Sequence, residues 1–341
     1  MILRHFQHTL RLRRQFTLAT SSRAETPDII VEIEHNGLTG YGEASMPPYL
    51  GESYESAESF LAGMDMTRYD SPLQVDEILH DIDAARPGNT AIKAAIDIAI
   101  HDWIGKQMGR PWYRMWGFDV TAIPRTSFTI GAGDAEHIRA GATDAAEYPV
   151  LKVKLGRDND QQTIQTIRDL TDKPIRVDVN QGWRDRDDAL RAIEWLATQN
   201  VELVEQPLPK ERIDDLAWLT QRSPLPIIGD EGVQRLADVR PARGVYHGIN
   251  VKLMKCAGMR EAHAMMMQAR SLGLKVMLGC MTETTCAISA AAHLSPLADW
   301  VDLDGAALIA NDIFDGATLS DGRMRPCDRP GIGAVLKVRS G

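Results

Sequence analysis

The chain has 341 residues, 44% of them apolar and 25% charged, with a formal net charge of −9. That length holds one large α/β domain or two domains, and the acidic balance argues against nucleic acid or an anionic membrane as partner. No apolar run approaches the ~18 residues of a membrane span, and the opening Met1-Ile2-Leu3-Arg4-His5-Phe6 lacks the apolar core of a signal peptide.

Residues 1 to about 60 read as strands and turns. The basic stretch Arg11 to Arg14 alternates with Leu10, Leu12 and Phe16 and reads as strand. Asp28 to Glu34 alternates, His35-Asn36-Gly37 is a turn signal, and Leu38 to Glu43 continues as strand. The Gly/Pro-rich run Ser45 to Gly51 is a loop. Asn89 or Thr90 is expected to cap a helix reaching about Met108, with Ile92, Ala95, Ile96, Ala99, Ile100 and Trp103 at helical spacing and Gly109 and Pro111 as its stop. His101 on this helix reads as packing. These elements make an α+β module over residues 1–120.

The pattern then changes. Strand-like runs recur at Arg125–Ile130, Leu151–Leu155, Ile175–Asn180, Leu203–Gln206, Ile227–Asp230, Gly248–Leu253, Val276–Leu278 and Trp300–Leu303. Helical stretches, Asp187 to Thr198 the clearest, separate most of them. Eight strands alternating with helices predict a (β/α) barrel over 121–305. The interval from Asp230 to Lys252 is short for a full helix, so that crossover should be compact. The tail, 306–341, carries strand-like pieces and turns and is expected to return to the first module. Cys256, Cys280, Cys286 and Cys327 show no C-x-x-C spacing and read as reduced thiols of a cytoplasmic protein.

Chemistry gathers at the strand ends. Lys152 and Lys154 share one side of a strand by its two-residue period, and apolar neighbours on both faces argue for burial. Two ammonium groups in one pocket lower each other's pKa, which frees one to act as a base. Asp178, Glu205 and Asp230 each end an apolar run, roughly 25 residues apart, about one strand plus one helix. Three oxygen ligands on three rigid strands suit Mg²⁺ with positions left for substrate. Lys252 follows on the next strand. Asp302 and Asp304 share one side at the last strand, where two carboxylates can grip an amine.

The series Lys152-Val153-Lys154, Asp178-Val179-Asn180, Val204-Glu205-Gln206-Pro207, Gly229-Asp230-Glu231 and Asn250-Val251-Lys252-Leu253-Met254-Lys255 resembles the enolase superfamily, in its muconate-lactonising subgroup. Ala94-Ala95-Ile96-Asp97-Ile98-Ala99 is similar to the helix of that family's capping domain. The resemblance implies an α/β fold: a (β/α)7β modified TIM barrel with an α+β capping domain of the enolase N-terminal type, completed by the tail. It implies Mg²⁺ on Asp178, Glu205 and Asp230. It also implies acid/base lysines Lys154 and Lys252 on opposite substrate faces, with Lys152 beside them as a catalytic and substrate-contacting group. In such sites the divalent cation stabilises the ene-diolate formed when a proton leaves alpha to a carboxylate.

Asp302-Leu303-Asp304-Gly305 resembles the Asp-x-Asp signature of the family's dipeptide epimerases, where it binds the free α-amino group. Ser22-Arg23-Ala24-Glu25 resembles the specificity loop of Ala-Glu epimerases, with Arg23 on the glutamate carboxylate. Leu278-Gly279-Cys280-Met281 resembles the same branch, and Ser127 matches its substrate-contacting residue on the first barrel strand. The implied activity is Mg²⁺-dependent epimerisation of a dipeptide's C-terminal residue, L-Ala-L-Glu to L-Ala-D-Glu, in peptidoglycan-peptide metabolism. The partners expected are a small dipeptide substrate and copies of the chain in a homo-oligomer, with neither nucleic acid nor membrane. A muconate-type cycloisomerase or o-succinylbenzoate synthase shares the lysines, but its anionic substrate offers no amine to Asp302 and Asp304. A non-catalytic metal-binding barrel would have no use for the lysines, and an acid-sugar dehydratase would need a His-Asp pair at the later strands that is not found. Glu283, close to the Cys280 loop, would oppose an acidic side chain if it faced the substrate.

Overall fold

The computed structural model describes residues 1–17 and 21–337; the end of the tail, 338–341, lies outside them. Strands β1 (Ile2–Gln7), β4 (Asp28–His35) and β5 (Leu38–Ser45) form an antiparallel sheet, while β2 (Leu10–Thr17) and β3 (Ser22–Thr26) pair as a separate ribbon. The β4–β5 hairpin turns on Asn36 and Gly37, with φ of 49° and 75°, the conformation a two-residue hairpin loop demands. The expectation of strands and turns up to residue 60 fails at Tyr54. There a helix, Tyr54–Ala62, begins on a Ser53/Ser56 capping box and buries Ala57, Phe60 and Leu61.

The helix Thr90–Gln107 crosses the sheet with Ala91 to Gly105 buried throughout. It can lie so close because Gly42 faces it: a Cβ there would meet the Ala95 carbonyl. On its far side Asp97 Oδ1 accepts the Met259 N–H at 2.6 Å, capping the barrel helix Met259–Ser271. A helix clamped between a sheet and a barrel is buried all round, and its few charged groups, Asp97 among them, are taken up by hydrogen bonds to its neighbours. Asn89 does not cap it by side chain; it takes a left-handed φ of 52°. Glu52 fills the role instead, accepting from Ala91 N–H at 3.0 Å, as a helix's positive end favours.

Eight parallel strands follow in chain order: β6 (Ser127–Ile130), β7 (Val150–Lys154), β8 (Ile175–Asp178), β9 (Val201–Glu205), β10 (Ile227–Gly229), β11 (Gly248–Val251), β12 (Lys275–Gly279) and β13 (Trp300–Asp302). A bridge between Thr126 and Val301 closes the ring. A helix follows each strand but the last, giving (β/α)7β. The crossover after β10 is the compact one, Leu236–Ala242, with Pro241 inside it. Leu203, Ile228 and Met277 fill the barrel interior beneath its carboxyl end, against Trp300. Two residues further along those strands stand Glu205, Asp230 and Gly279, so strand periodicity sets the polar layer on the apolar one. After β13 the chain runs back along the first module: Ala310 N–H donates to Arg11 O on β2 at 2.8 Å and Ile332 N–H to Asp102 Oδ1 on the long helix at 3.0 Å. No helix among the described residues is long and apolar enough to cross a membrane.

Candidate active site

The carboxyl end of the barrel opens into a cavity of about 200 Å³, lined from β6, β7, β13 and the ends of β8 to β12, and covered by Phe16, Arg23 and Tyr49. Lys154 on β7 and Lys252, one residue past β11, lie four strands apart in a ring of eight, diametrically opposed. Asp178, Glu205 and Asp230 occupy the arc between them on β8 to β10. Asp302 and Asp304 stand on the other arc, at β13.

The three ligand candidates are fully or almost fully buried, and each has a carboxylate oxygen within 4.8 Å of the others'. Oxygens around Mg²⁺ sit about 3 to 4 Å apart, given Mg–O near 2.1 Å, so the cluster fits the ion with little adjustment. Asn250 Nδ2 donates to Glu205 Oε1 at 2.6 Å, while Oε2 accepts no hydrogen bond although Lys152 Nζ lies 2.8 Å away. Burial pushes the Glu205 carboxyl up to about 7, with Asp178 adding to the effect. Burial would raise Asp230 too, but Lys252 and Lys255 hold it well below the usual carboxylate range. Burial opposes the charge on Asp178 as well, but Lys154 and Lys152 outweigh it there, so Glu205 is the member of the cluster whose charge a divalent cation would relieve. Lys255 was not singled out by sequence. Its ammonium, fully buried, bonds Asp230 Oδ1 at 2.5 Å and three backbone carbonyls, so it anchors Asp230.

Lys154 Nζ donates to Asp178 Oδ2 at 2.6 Å and Lys252 Nζ to Asp230 Oδ2 at 2.7 Å. Gly279 leaves room for Lys252: a Cβ would fall 3.1 Å from its Cε and 2.7 Å from Asn250 Oδ1. The expectation that paired lysines depress one another does not hold for Lys152. Its Nζ sits 2.7 Å from Asp302, 2.8 Å from Glu205 and 3.3 Å from Asp178. Burial would lower its pKa, but these carboxylates overcome that and hold it well above 10.5. The cross-barrel charges, invisible in a K-x-K motif, outweigh the neighbouring ammonium.

Asp302 Oδ2 accepts from Lys152 and Oδ1 from Ser127 Oγ, at 2.7 and 2.8 Å. Ser127 is fully buried and does not line the cavity; Thr129, two residues nearer the strand end, does, and its N–H donates to Asp304 Oδ2 at 2.6 Å. Ser127, the residue expected at the substrate, supports Asp302 from below. Burial, joined by the Asp302 charge, pushes Asp304 up to about 7.

Arg23 stands on β3, the returning strand of the ribbon, rather than in a loop. Its Nε donates to Thr26 Oγ1 at 3.0 Å and its guanidinium lies 5.1 Å from the Phe16 ring centre, with Lys154 Nζ 6.0 Å from the same ring. Phe16 and Tyr49 were missed by sequence; both come from the first module and meet the barrel only through tertiary packing. Glu283 is buried and accepts the Met281 N–H at 2.9 Å, so its carboxyl is engaged by its own loop. Burial, with Glu43 adding, raises its pKa well above 4.5. A raised carboxyl pKa gives stability that is present below the unfolded value near 4.5 and is lost as pH rises toward the folded value. Glu283→Gln should therefore gain in stability on the wild type as pH rises above about 5. Denaturant titrations at pH 5, 6 and 7 check this; parallel stability curves would refute it.

Residues 3–117 match the family model of the mandelate racemase / muconate lactonizing enzyme N-terminal domain, and residues 135–340 match the enolase C-terminal domain-like model. The L-Ala-D/L-Glu epimerase of Bacteroides thetaiotaomicron is 52% identical, covering 99% of this chain and 88% of that protein. A substrate-liganded L-Ala-D/L-Glu epimerase from Bacillus subtilis superposes with a TM-score of 0.90 at 29% identity, over 99% of each chain. The Methylococcus capsulatus dipeptide epimerase, complexed with Mg and L-Arg-D-Lys, gives 0.87 at 31% identity, over 98% of this chain and 99% of that one. With both domain models matched in order, the chain belongs to the mandelate racemase and muconate lactonizing enzyme family of the enolase superfamily.

Proposed function

We propose that this protein is a Mg²⁺-dependent dipeptide epimerase that inverts the α-carbon of the C-terminal residue, with L-Ala-L-Glu as the preferred substrate. The observation that carries this reading is the order of groups around the barrel. The metal-ligand arc and the Asp302/Asp304 arc face each other, with Lys154 and Lys252 on the diameter between them. A dipeptide laid across the mouth puts its carboxylate toward Asp178, Glu205 and Asp230, its ammonium toward Asp302 and Asp304, and the α-carbon of its second residue between the lysines. Mg²⁺ bound by the three carboxylates would supply positive charge against the negative charge that develops on the substrate carboxylate. One lysine, neutral, takes the α-proton; the other, charged, returns a proton to the opposite face. Lys152 stays protonated among its carboxylates and adds positive charge beside them. Asp304, uncharged in part near pH 7 without a ligand, ionises against the incoming ammonium. A cycloisomerase substrate has no ammonium for it. In this reading residues 1–120 with the tail from 306 are the cap, 121–305 are the barrel, and the reaction runs in the cytoplasm.

The test is incubation with a dipeptide library in deuterated water, scoring mass gain at the C-terminal residue. Gain confined to dipeptides with a free amino terminus supports the reading; exchange absent from every dipeptide removes it. Arg23 should matter for an acidic second residue only. A charge-assisted contact is worth roughly 1.5–3 kcal/mol, so Arg23→Ala should lower kcat/KM for Ala-Glu by about ten- to a hundredfold and leave Ala-Leu nearly unchanged. Equal losses on both would make Arg23 a structural residue of the ribbon.

A further inference from the structure

Lys152, Lys154 and Lys252 are each ion-paired in the cavity. Two other cations line it, Arg23 from the cap ribbon and Lys210 from the loop after β9, and neither has a carboxylate partner among the described residues. Lys210 is exposed at the mouth. Among the described residues no ion pair joins it to Glu211 beside it, and the nearby Asp215 carboxylate is taken by Arg212 at 2.6 Å.

Its backbone is fixed in place. The Lys210 N–H donates to Gln181 Oε1 at 3.0 Å, and the Gln181 N–H in turn donates to Gln206 O at 2.8 Å. Asn180, Gln181 and Gln206 all hold left-handed φ values, 46°, 65° and 38°, a conformation asparagine tolerates but glutamine rarely adopts unless its surroundings hold it. The loops after β8 and β9 are thereby tied together, and Lys210 is held at the rim.

We infer that Lys210 is a second specificity-determining cation, which draws in and holds the side-chain carboxylate of an acidic C-terminal residue from the barrel side while Arg23 meets it from the cap. The inference rests on the dipeptide-epimerase reading. At neutral pH Ala-Glu carries one ammonium and two carboxylates. The ammonium goes to Asp302 and Asp304 and the α-carboxylate to the metal arc, which leaves one unmatched negative charge. Ala-Leu has none. An exposed ammonium acts through a screened field, so its effect is modest and sensitive to salt.

The experiment compares Lys210→Gln, Lys210→Glu and Lys210→Arg on L-Ala-L-Glu and L-Ala-L-Leu at low and near-physiological salt. Arg243→Gln, an exposed site outside the cavity lining, controls for overall charge. Lys210→Gln should lower kcat/KM for Ala-Glu by about three- to tenfold at low salt, chiefly through KM, and the deficit should shrink as salt rises. Lys210→Glu should lose more, Lys210→Arg should restore the wild-type value, and Ala-Leu and the Arg243 variant should shift less than about twofold. An equal loss on both dipeptides, a deficit indifferent to salt, or no deficit overturns the role of Lys210. A wild type inactive on every dipeptide would instead remove the epimerase reading itself, so the two failures are distinct.

Discussion

Lys252→Ala is expected to lose epimerisation by about a thousandfold or more, the upper part of the range for a positioned acid or base, yet to keep α-proton exchange from one enantiomer of the substrate. Lys154 and Lys252 sit on opposite walls of the barrel, so in the proposed reaction each would reach one face of an α-carbon held between them. Inversion needs both faces; exchange needs one. Lys154→Ala should show the mirror behaviour, exchanging only the other enantiomer. The readout is deuterium wash-in from L-Ala-L-Glu and from L-Ala-D-Glu, followed by mass spectrometry for each variant. Wild-type epimerisation by Lys252→Ala, or exchange of both enantiomers by both variants, would sink the two-base arrangement. The variants should fold, because Asp230 keeps the Lys255 ammonium and Asp178 lies 3.3 Å from that of Lys152.

Much of this arrangement is legible in the sequence. A strand's two-residue period places Lys152 with Lys154 and Asp302 with Asp304, and the rule that barrel sites lie at strand carboxyl ends gathers Asp178, Glu205 and Asp230. The short interval after Asp230 did mark a compact crossover. What was not legible depends on contacts distant in sequence. The charge state of Lys152 is set by Asp302, 150 residues away, and not by the lysine two positions along. Ser127 and Thr129 share a side of one strand, and only the depth of the cavity floor decides that Thr129 is the one exposed to it. Phe16, Tyr49 and Lys210 lie on segments whose own patterns carry no chemistry until the cap docks. The helix at Tyr54 was hidden because a single short apolar stripe followed a long run of strand and turn signals.

Glu205→Gln is expected to weaken Mg²⁺ binding by roughly a hundredfold or more, since loss of a mere supporting contact around a metal costs 10- to 100-fold and this removes a ligand. The substitution keeps the shape, so the lost quantity is charge and an acceptor. In the wild type one Glu205 oxygen takes the Asn250 amide at 2.6 Å and the other lies 2.8 Å from the Lys152 ammonium. A glutamine amide has one oxygen for these demands, and its NH2 group would confront either a donor or the metal position. Isothermal titration with Mg²⁺ in the absence of substrate reads the effect without relying on turnover. Stability should move the other way. Three buried carboxylates with oxygens within 4.8 Å of one another repel in the metal-free protein, and removing one charge relieves that. The metal-free variant should therefore melt no lower than the metal-free wild type, while Mg²⁺ raises the melting temperature of the wild type alone. A variant that melts well below the wild type without metal would mean that Glu205 holds the barrel together through Lys152. An unchanged Mg²⁺ affinity would remove it from the ligand set.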